Sequence, residues 1–226
     1  MIYTHAGPEI GVASTKGFLT QLVACYLLAL YLAQVKGTRY GDEIGQVLDQ
    51  LHEMPDHIQA VLDRRQEVYD LAAAHVDATS VLFLGRHAGY PVALEGALKL
   101  KELAYIHAEG FAAGELKHGP IALIDAGQPV FVVVPSPDSP HELHKKVVSN
   151  IQEIRARGAR TIVIAHDGDD DVEPFANEVI RIPQCSPLLA PLLAVVPLQV
   201  FALHLSTAKG LDVDQPRNLA KSVTVE

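Results

Sequence analysis

The sequence contains little cysteine and none of the short motifs that mark metal sites or nucleotide cofactors. Its two cysteines, Cys25 and Cys185, are far apart and form no CxxC pair, which excludes a disulfide framework and suits a reducing cytosol. Cys25 lies within an apolar run, so we expect its thiol to be buried. Walker, GxGxxG and HExxH motifs and cysteine–histidine metal spacing are all missing, and the sequence therefore predicts no cofactor and no metal site.

Positive charge is also scarce. Lysine and arginine number 18 against 27 aspartates and glutamates, and the lack of any basic run excludes a nucleic-acid partner. The first residues do not have the charged and apolar regions of a secretory signal. The apolar segment 22–33 is too short to span a membrane, and segment 188–205 contains Pro191 and Pro197. We expect both segments to be buried helices of a cytoplasmic protein without membrane contact.

The order of secondary-structure signals divides the chain into a helical front part and an alternating remainder. Apolar periodicity, with stop signals at Gly37 and Pro55, predicts helices over residues 9–36, 41–54, 56–74, 91–106, 140–157 and 187–209. Short apolar runs predict strands over residues 81–84, 129–134, 161–165 and 179–182, with a further strand at 121–124.

Strand–helix alternation of this kind is typical of a parallel sheet covered by helices on both faces. We therefore predict an α/β fold, a three-layer α-β-α flavodoxin-like sheet preceded by helices. Ligands of such sheets bind beyond the carboxyl ends of the strands. The corresponding loops are residues 85–89, 135–139 and 166–171.

One predicted helix carries three charged residues on a single face. Glu95, Lys99 and Glu102 are spaced i, i+4 and i+7, and a carboxylate next to a lysine can transfer protons. The alternative is a solvated face with ordinary ion pairs, which are common and contribute little. The helix follows the first strand, where binding sites cluster, and this position favours the functional interpretation.

Three other segments combine polar residues with turn formers. His118 lies among glycines in the loop 112–120 and could deliver a proton near neutral pH, as histidines in general can, although a surface histidine in a turn explains the pattern equally well. Lys221 lies in the tail and could form a Schiff base, whereas most tails are dispensable. Ser14, in the segment 11–16, could bind an anion or a sugar hydroxyl or simply cap a helix.

Five segments carry a resemblance to a known family. They are EIGVASTK (9–16), ALEGALKLKE (93–102), YIHAE (105–109), GELKHGP (114–120) and DVDQPRNLAKSVTVE (212–226). Through essentially the whole chain they resemble the glucosamine-6-phosphate synthase family, the isomerizing glutamine–fructose-6-phosphate aminotransferases. The fourth and fifth segments are highly specific, whereas the second is shared with other sugar isomerase (SIS) domains.

The resemblance implies catalytic roles for four residues. By this resemblance Glu102 is the base that moves a proton between C1 and C2 of the sugar, and Lys99 assists at the C1 oxygen. His118 opens the sugar ring, reaching the site from the neighbouring subunit of a homodimer. Lys221 forms a Schiff base with fructose 6-phosphate until ammonia arrives, and the product is glucosamine 6-phosphate.

The resemblance also implies a substrate pocket and a domain organisation. The backbone around Val12 and Ala13, together with Ser14 and Ala220, is expected to contact the substrate. Residues 1–76 correspond to the end of a first SIS subdomain with connecting helices, 77–210 to the second SIS domain and 211–226 to a catalytic tail.

The family's glutaminase domain and the phosphate-binding loop of its first SIS subdomain have no counterpart in the 226 residues. Because remote phosphate binding commonly holds a small substrate in place, we expect this chain alone to be nearly inactive. Two alternatives remain: a sugar-phosphate-binding SIS regulatory module without catalysis, and a stand-alone ketose–aldose isomerase. The intact tail and the Lys99–Glu102 pair favour the aminotransferase over the regulatory module, and a stand-alone isomerase would require a phosphate site that the sequence does not reveal.

Overall fold

The computed structural model describes residues 1–221; residues 222–226, the end of the predicted catalytic tail, lie outside the described part. The α-helices are α1 (Lys16–Val35), α2 (Gly41–Asp63), α3 (Arg65–Ala74), α4 (Gly89–Lys99), α5 (Leu143–Arg155) and α6 (Ala190–Ala208). The strands are β1 (Ser80–Gly85), β2 (His107–Ala112), β3 (Pro129–Val133), β4 (Arg160–His166) and β5 (Glu178–Ile182).

The five strands form one sheet in the order β2-β1-β3-β4-β5, and every neighbouring pair is parallel. Alternate strand residues enter two separate cores. Phe83 and Phe131 stack with their ring centres 5.0 Å apart and face α3, α4 and α6. Leu82 and Leu84 face α5 on the other side of the sheet. This arrangement confirms the predicted three-layer α/β fold with a parallel sheet.

The sequence did not predict β2, and the predicted strand at 121–124 is wrong. β2 is an edge strand of mixed polarity that contains Gly110 and is exposed at His107, so it shows neither an apolar run nor a clear alternation. Residues Pro120–Leu123 instead form a 3-10 turn, because Pro120 favours the first position of such a turn and has no N–H for a sheet ladder.

Several helix boundaries also differ from prediction, among them those around Pro55 and the start of α1. Pro55 lies inside α2, and the helix breaks only at Arg64. Pro55 is exposed on α2, and the loss of one helical hydrogen bond there does not end the helix. α1 begins at Lys16 rather than Glu9, because residues 9–14 run outside the helix along the tail.

Both α1 and α6 are long and apolar enough to span a membrane by length and composition, which is weak evidence for such a role. α6 is mostly buried, as expected of a core helix. α1 was expected to be buried as well, and this expectation is wrong: no α1 residue is buried, and Cys25 is exposed. Within residues 1–221 only one side of α1 packs against the core, so its outer apolar side chains Leu27, Leu28 and Tyr31 remain exposed.

Candidate active site

Lys99 lies between two carboxylates at the end of α4. Its Nζ is 2.6 Å from Glu102 Oε2 and 3.4 Å from Glu95 Oε1, as the helical spacing predicts. Lys99 is 2% exposed and Glu95 is 9% exposed, whereas Glu102 is half-buried. A buried ammonium group requires paired carboxylates to offset its desolvation, so this cluster is not a solvated charged surface.

The two carboxylates differ in environment. Glu95 Oε1 has no hydrogen bond from residues 1–221, because its contact with Lys99 lacks hydrogen-bond geometry. Burial raises the pKa of Glu95, against the opposing effect of the Lys99 charge. Glu102 accepts a hydrogen bond from Lys99 and lines an open cavity of about 500 Å³. Glu102 is therefore the carboxylate that a substrate can reach.

The chain leaves α4 through a π-helical turn, Leu100–Ala104, which carries Glu102. π-Helical turns are rare and are frequent at functional sites. The turn ends at Tyr105, whose φ of 55° places it in the left-handed region. The Tyr105 hydroxyl accepts a hydrogen bond of 2.6 Å from the Arg217 N–H, and the Arg217 guanidinium lies 4.2 Å from the centre of the tyrosine ring. The tail is thus attached to the segment that presents Glu102.

The tail also pairs with the segment before α1. The Val12 N–H donates to the Asp214 carbonyl at 3.0 Å, and Lys221 Nζ donates to the Gly11 carbonyl at 2.6 Å. Gly11 suits this close approach, because a Cβ there would lie 3.2 Å from an Asp214 carboxylate oxygen. The side chain of Lys221 is 52% exposed and lies 3.6 Å from Glu9 Oε2.

Glu9 caps α1 from a position outside the helix. Its Oε1 accepts hydrogen bonds from the backbone N–H groups of Thr15 and Gly17, at 2.8 and 3.2 Å. Burial acts to raise the pKa of Glu9, but these hydrogen bonds and the charge of Lys221 hold the pKa below its ordinary value. Glu9 therefore supports both the helix and the position of Lys221.

Replacing Glu9 with alanine is expected to lower the free energy of unfolding by about 1 kcal/mol, the usual cost of losing a helix cap. Glu9→Gln retains an acceptor for the two N–H groups, so its free energy of unfolding is expected to fall by less than that of Glu9→Ala. Urea denaturation of the two variants measures the difference. Equal losses would show that charge, and not capping, is the contribution of Glu9.

A second cavity, of about 530 Å³, lies between the segment before α1, α6 and the tail. Ala13 and Lys99 both line it, so the Lys99–Glu102 pair stands between this cavity and the one that Glu102 lines. Val12 is held by its backbone pairing, Ser14 is half-buried at the start of α1, and Ala220 is exposed next to Lys221. The structure thus gathers all the predicted residues except His118 in one region.

His118 lies elsewhere in the chain. It is exposed in a 3-10 turn, Ala113–His118, that follows the carboxyl end of β2 and packs with α5. The sheet separates this turn from Lys99, because α4, which carries Lys99, packs with α6 on the other face of the sheet. His118 is therefore not part of the Lys99 cluster within one chain.

The carboxyl edge of the sheet holds a cavity of about 260 Å³ with mainly apolar walls, lined by residues of the loops after β1 and β3. The Lys99 cluster is not at this edge. α4 starts at the edge and carries Lys99 to its far end, which is about 15 Å away at 1.5 Å per residue. The position of the helix after β1 therefore did not locate the cluster correctly; the charge spacing did.

Sequence reasoning missed the roles of Glu9, Tyr105 and Asp214. Glu9 was placed at the start of a helix, and its non-local capping has no sequence signal beyond a carboxylate several residues before the helix. The contacts of Tyr105 and Asp214 join segments far apart in the chain. The segments YIHAE and DVDQPRNLAKSVTVE contain these two residues and were the signal available.

One group of side chains has the spacing of metal ligands. The ligand atoms of His144, Asp169 and Asp171 lie within 4.8 Å of one another. His144 Nε2 and Asp169 Oδ2 are 2.8 Å apart and buried, so a hydrogen bond already satisfies this pair without an ion.

The chain is similar to several proteins of known name. Over its whole length it is 69% identical to the isomerizing glutamine–fructose-6-phosphate aminotransferase of Corynebacterium diphtheriae and 62% identical to that of Mycobacterium tuberculosis. In each case the chain spans 36% of the relative.

Solved structures show the same fold. The C-terminal domain of glucosamine-fructose-6-phosphate aminotransferase from Francisella tularensis matches 92% of this chain and 58% of its own, at 40% identity and a TM-score of 0.87. Tagatose-6-phosphate ketose/aldose isomerase from Escherichia coli matches 93% of this chain and 55% of its own, at 23% identity and a TM-score of 0.69; this likeness concerns the fold alone.

The SIS domain model matches residues 76–209, which is more than half of the chain. This match agrees with the five-stranded parallel sheet and its helical layers. The chain belongs to the SIS domain family.

Proposed function

We propose that this chain is the carboxy-terminal isomerase part of an enzyme that makes glucosamine 6-phosphate from fructose 6-phosphate and glutamine-derived ammonia. The observation that carries the proposal is the buried Lys99 between Glu95 and Glu102, next to a tail that brings Lys221 to the segment before α1. The identity of 69% to an aminotransferase of this name supports it. A regulatory module would need neither the buried proton-transfer groups nor an anchored tail.

In the proposed reaction, the Lys221 amine attacks the C2 carbonyl of the open-chain ketose, and water leaves to form a Schiff base. Ammonia then adds at C2 and displaces the lysine, which leaves an imine of the sugar. Before this attack, Lys221 must leave its ion pair with Glu9 and lose a proton. The 52% exposure of its side chain supports such a movement.

Glu102 is the proposed base of the isomerisation. Its carboxylate takes the proton from C1, the electron pair forms the C1–C2 double bond of an enolamine, and the imine nitrogen receives a proton. The proton on Glu102 then returns to C2 as the C1 hydroxyl loses its own proton and becomes the aldehyde. Lys99, which donates to Glu102 at 2.6 Å, is the residue that we propose stabilises negative charge on the C1 oxygen.

Substrate contacts are proposed for the backbone of Val12 and Ala13 and for Ser14 and Ala220. His118, exposed and across the sheet from Lys99, would serve ring opening in the site of a second copy, so the proposed active form is a homodimer. The cytoplasm is the proposed compartment.

The proposed organisation divides the chain at residues 76 and 210 into the end of a first SIS subdomain, a second SIS domain and a catalytic tail. Relatives are longer, and the chain spans 36% of them. The glutaminase activity and the phosphate-binding loop are proposed to reside in the remainder of such a protein. This chain alone is accordingly proposed to be nearly inactive.

Borohydride reduction in the presence of fructose 6-phosphate tests the Schiff base. In a longer chain with the full length of the relatives, mass mapping is expected to find a reduced sugar adduct on Lys221, and Lys221→Arg is expected to abolish it. Lys209→Arg is the matched control, since Lys209 is an exposed lysine that donates to the Val76 carbonyl. No adduct in the longer chain would reject the role of Lys221.

The same assay on this chain alone separates lost binding from a wrong mechanism. We expect little adduct and little conversion, because the proposed phosphate-binding loop belongs to the remainder of the longer chain and would not hold the substrate in place. Conversion at a rate near that of the longer chain would contradict the proposal that the phosphate-binding loop lies outside this chain.

A further inference from the structure

The contact between Tyr105 and Arg217 joins two segments that the proposed reaction uses. Tyr105 ends the π-helical turn that carries Glu102. Arg217 lies four residues before Lys221 in the tail. Their side chains and backbone form a hydrogen bond of 2.6 Å and a cation–π contact of 4.2 Å.

Open space surrounds this contact on two sides. A cavity of about 500 Å³ lies between Glu102, Tyr105 and the tail residues 217–219. A second cavity of about 500 Å³ lies between Tyr105, Arg217 and the segment 76–79 that precedes β1. The tail is also paired with the segment before α1 through Asp214 and Lys221, whereas the contacts with Tyr105 join it to the π-helical turn that carries Glu102.

The backbone next to the contact has an uncommon conformation on both sides. Tyr105 itself and Asn218, the residue after Arg217, have positive φ, 55° and 63°. This conformation is unfavourable for a bulky residue such as tyrosine and is adopted more readily by asparagine. A conformation of this cost persists where surrounding interactions compensate for it.

We propose that Tyr105 is a positioning residue that holds the catalytic tail, through Arg217, so that Lys221 and Glu102 act on the same substrate molecule. The inference rests on the proposed function for its catalytic consequence, but not for its structural one. Tyr105 touches the tail and not the reacting atoms, so it acts on the geometry of Lys221.

The first test concerns the tail and does not depend on activity. Trypsin must take the Arg217 side chain into its pocket to cut after it, which requires that the side chain leave the Tyr105 ring. Tyr105→Leu is expected to raise cleavage after Arg217 about tenfold relative to cleavage after Lys209, the size expected for loss of a cation–π contact, whereas Tyr105→Phe, which retains the ring, is expected to raise it less. Unchanged cleavage in Tyr105→Leu would overturn the inference.

The second test concerns catalysis in a longer chain with the full length of the relatives. Tyr105→Leu is expected to lower the yield of the borohydride adduct on Lys221 and to lower kcat more than it changes KM, with Tyr105→Phe partly restoring both. Arg217→Ala is expected to have the same effect, and the double variant to be no worse than either single one.

The outcomes distinguish the two proposals. No Lys221 adduct even in the unchanged protein would reject the proposed Schiff base and leave the trypsin result to decide the role of Tyr105. A full adduct and full kcat in Tyr105→Leu, or additive losses in the double variant, would reject Tyr105 as a positioning residue. Equal losses for Tyr105→Leu and Tyr105→Phe would assign the effect to the hydroxyl and not to the stacking.

Discussion

Replacing Glu102 with glutamine is expected to slow the conversion of fructose 6-phosphate to glucosamine 6-phosphate by about 10²- to 10⁴-fold, the range for loss of a general base. Glutamine has the same shape and keeps an oxygen that can accept the hydrogen bond from Lys99, now 2.6 Å long. The fold is therefore expected to survive while the base is lost. The effect is measured in a longer chain with the full length of the relatives. The two readouts are the rate of product formation and the exchange of the C1 proton with solvent deuterium.

Glu67→Gln is the matched control for this prediction. Glu67 is an exposed glutamate in the first turn of α3, so its loss removes the same charge without touching the cluster. Its rate is expected to stay unchanged. If Glu102→Gln retains more than about a tenth of the activity, a group other than Glu102 moves the proton.

Replacing Lys99 with methionine is expected to lower the free energy of unfolding by about 3–5 kcal/mol, the cost of removing one partner from a buried ion pair. Methionine fills much of the same space but leaves the Glu95 carboxylate, whose side chain is 10% exposed, without a neighbouring cation. Adding Glu95→Gln to Lys99→Met removes that buried charge. The double variant is therefore expected to recover much of the lost stability, as measured by urea denaturation.

The loss of stability in Lys99→Met is expected to grow as the pH rises. Burial already raises the pKa of Glu95 while Lys99 opposes it, so removing Lys99 raises that pKa further. A folded protein whose carboxyl group has a raised pKa binds more protons than the unfolded chain, so stability falls as pH rises above the ordinary glutamate value. The loss is thus expected to be larger at pH 8 than at pH 5. A pH-independent loss, or a double variant no more stable than Lys99→Met, would show that the cost comes from packing and not from an unpaired charge.

The local pattern of the sequence was enough to predict most of the sheet and the charge cluster. β1, β3 and β4 are buried parallel strands and β5 is a partly buried edge strand, and their short apolar runs fall where the structure has them. The spacing of Glu95, Lys99 and Glu102 places them on one helix face, and geometry within a helix follows from spacing alone. β2 escaped prediction because an edge strand of mixed polarity carries little periodic signal.

What the sequence by itself determined was therefore the parallel α/β architecture and the presence of a lysine between two carboxylates. Only the tertiary structure decided that Lys221 meets Gly11 across 210 residues of chain, that Arg217 stacks on Tyr105, and that His118 lies across the sheet from Lys99. It also decided that Cys25 and the outer side of α1 are exposed. The physical reason is that periodicity and spacing encode neighbours along one element, whereas these contacts depend on how separate elements pack.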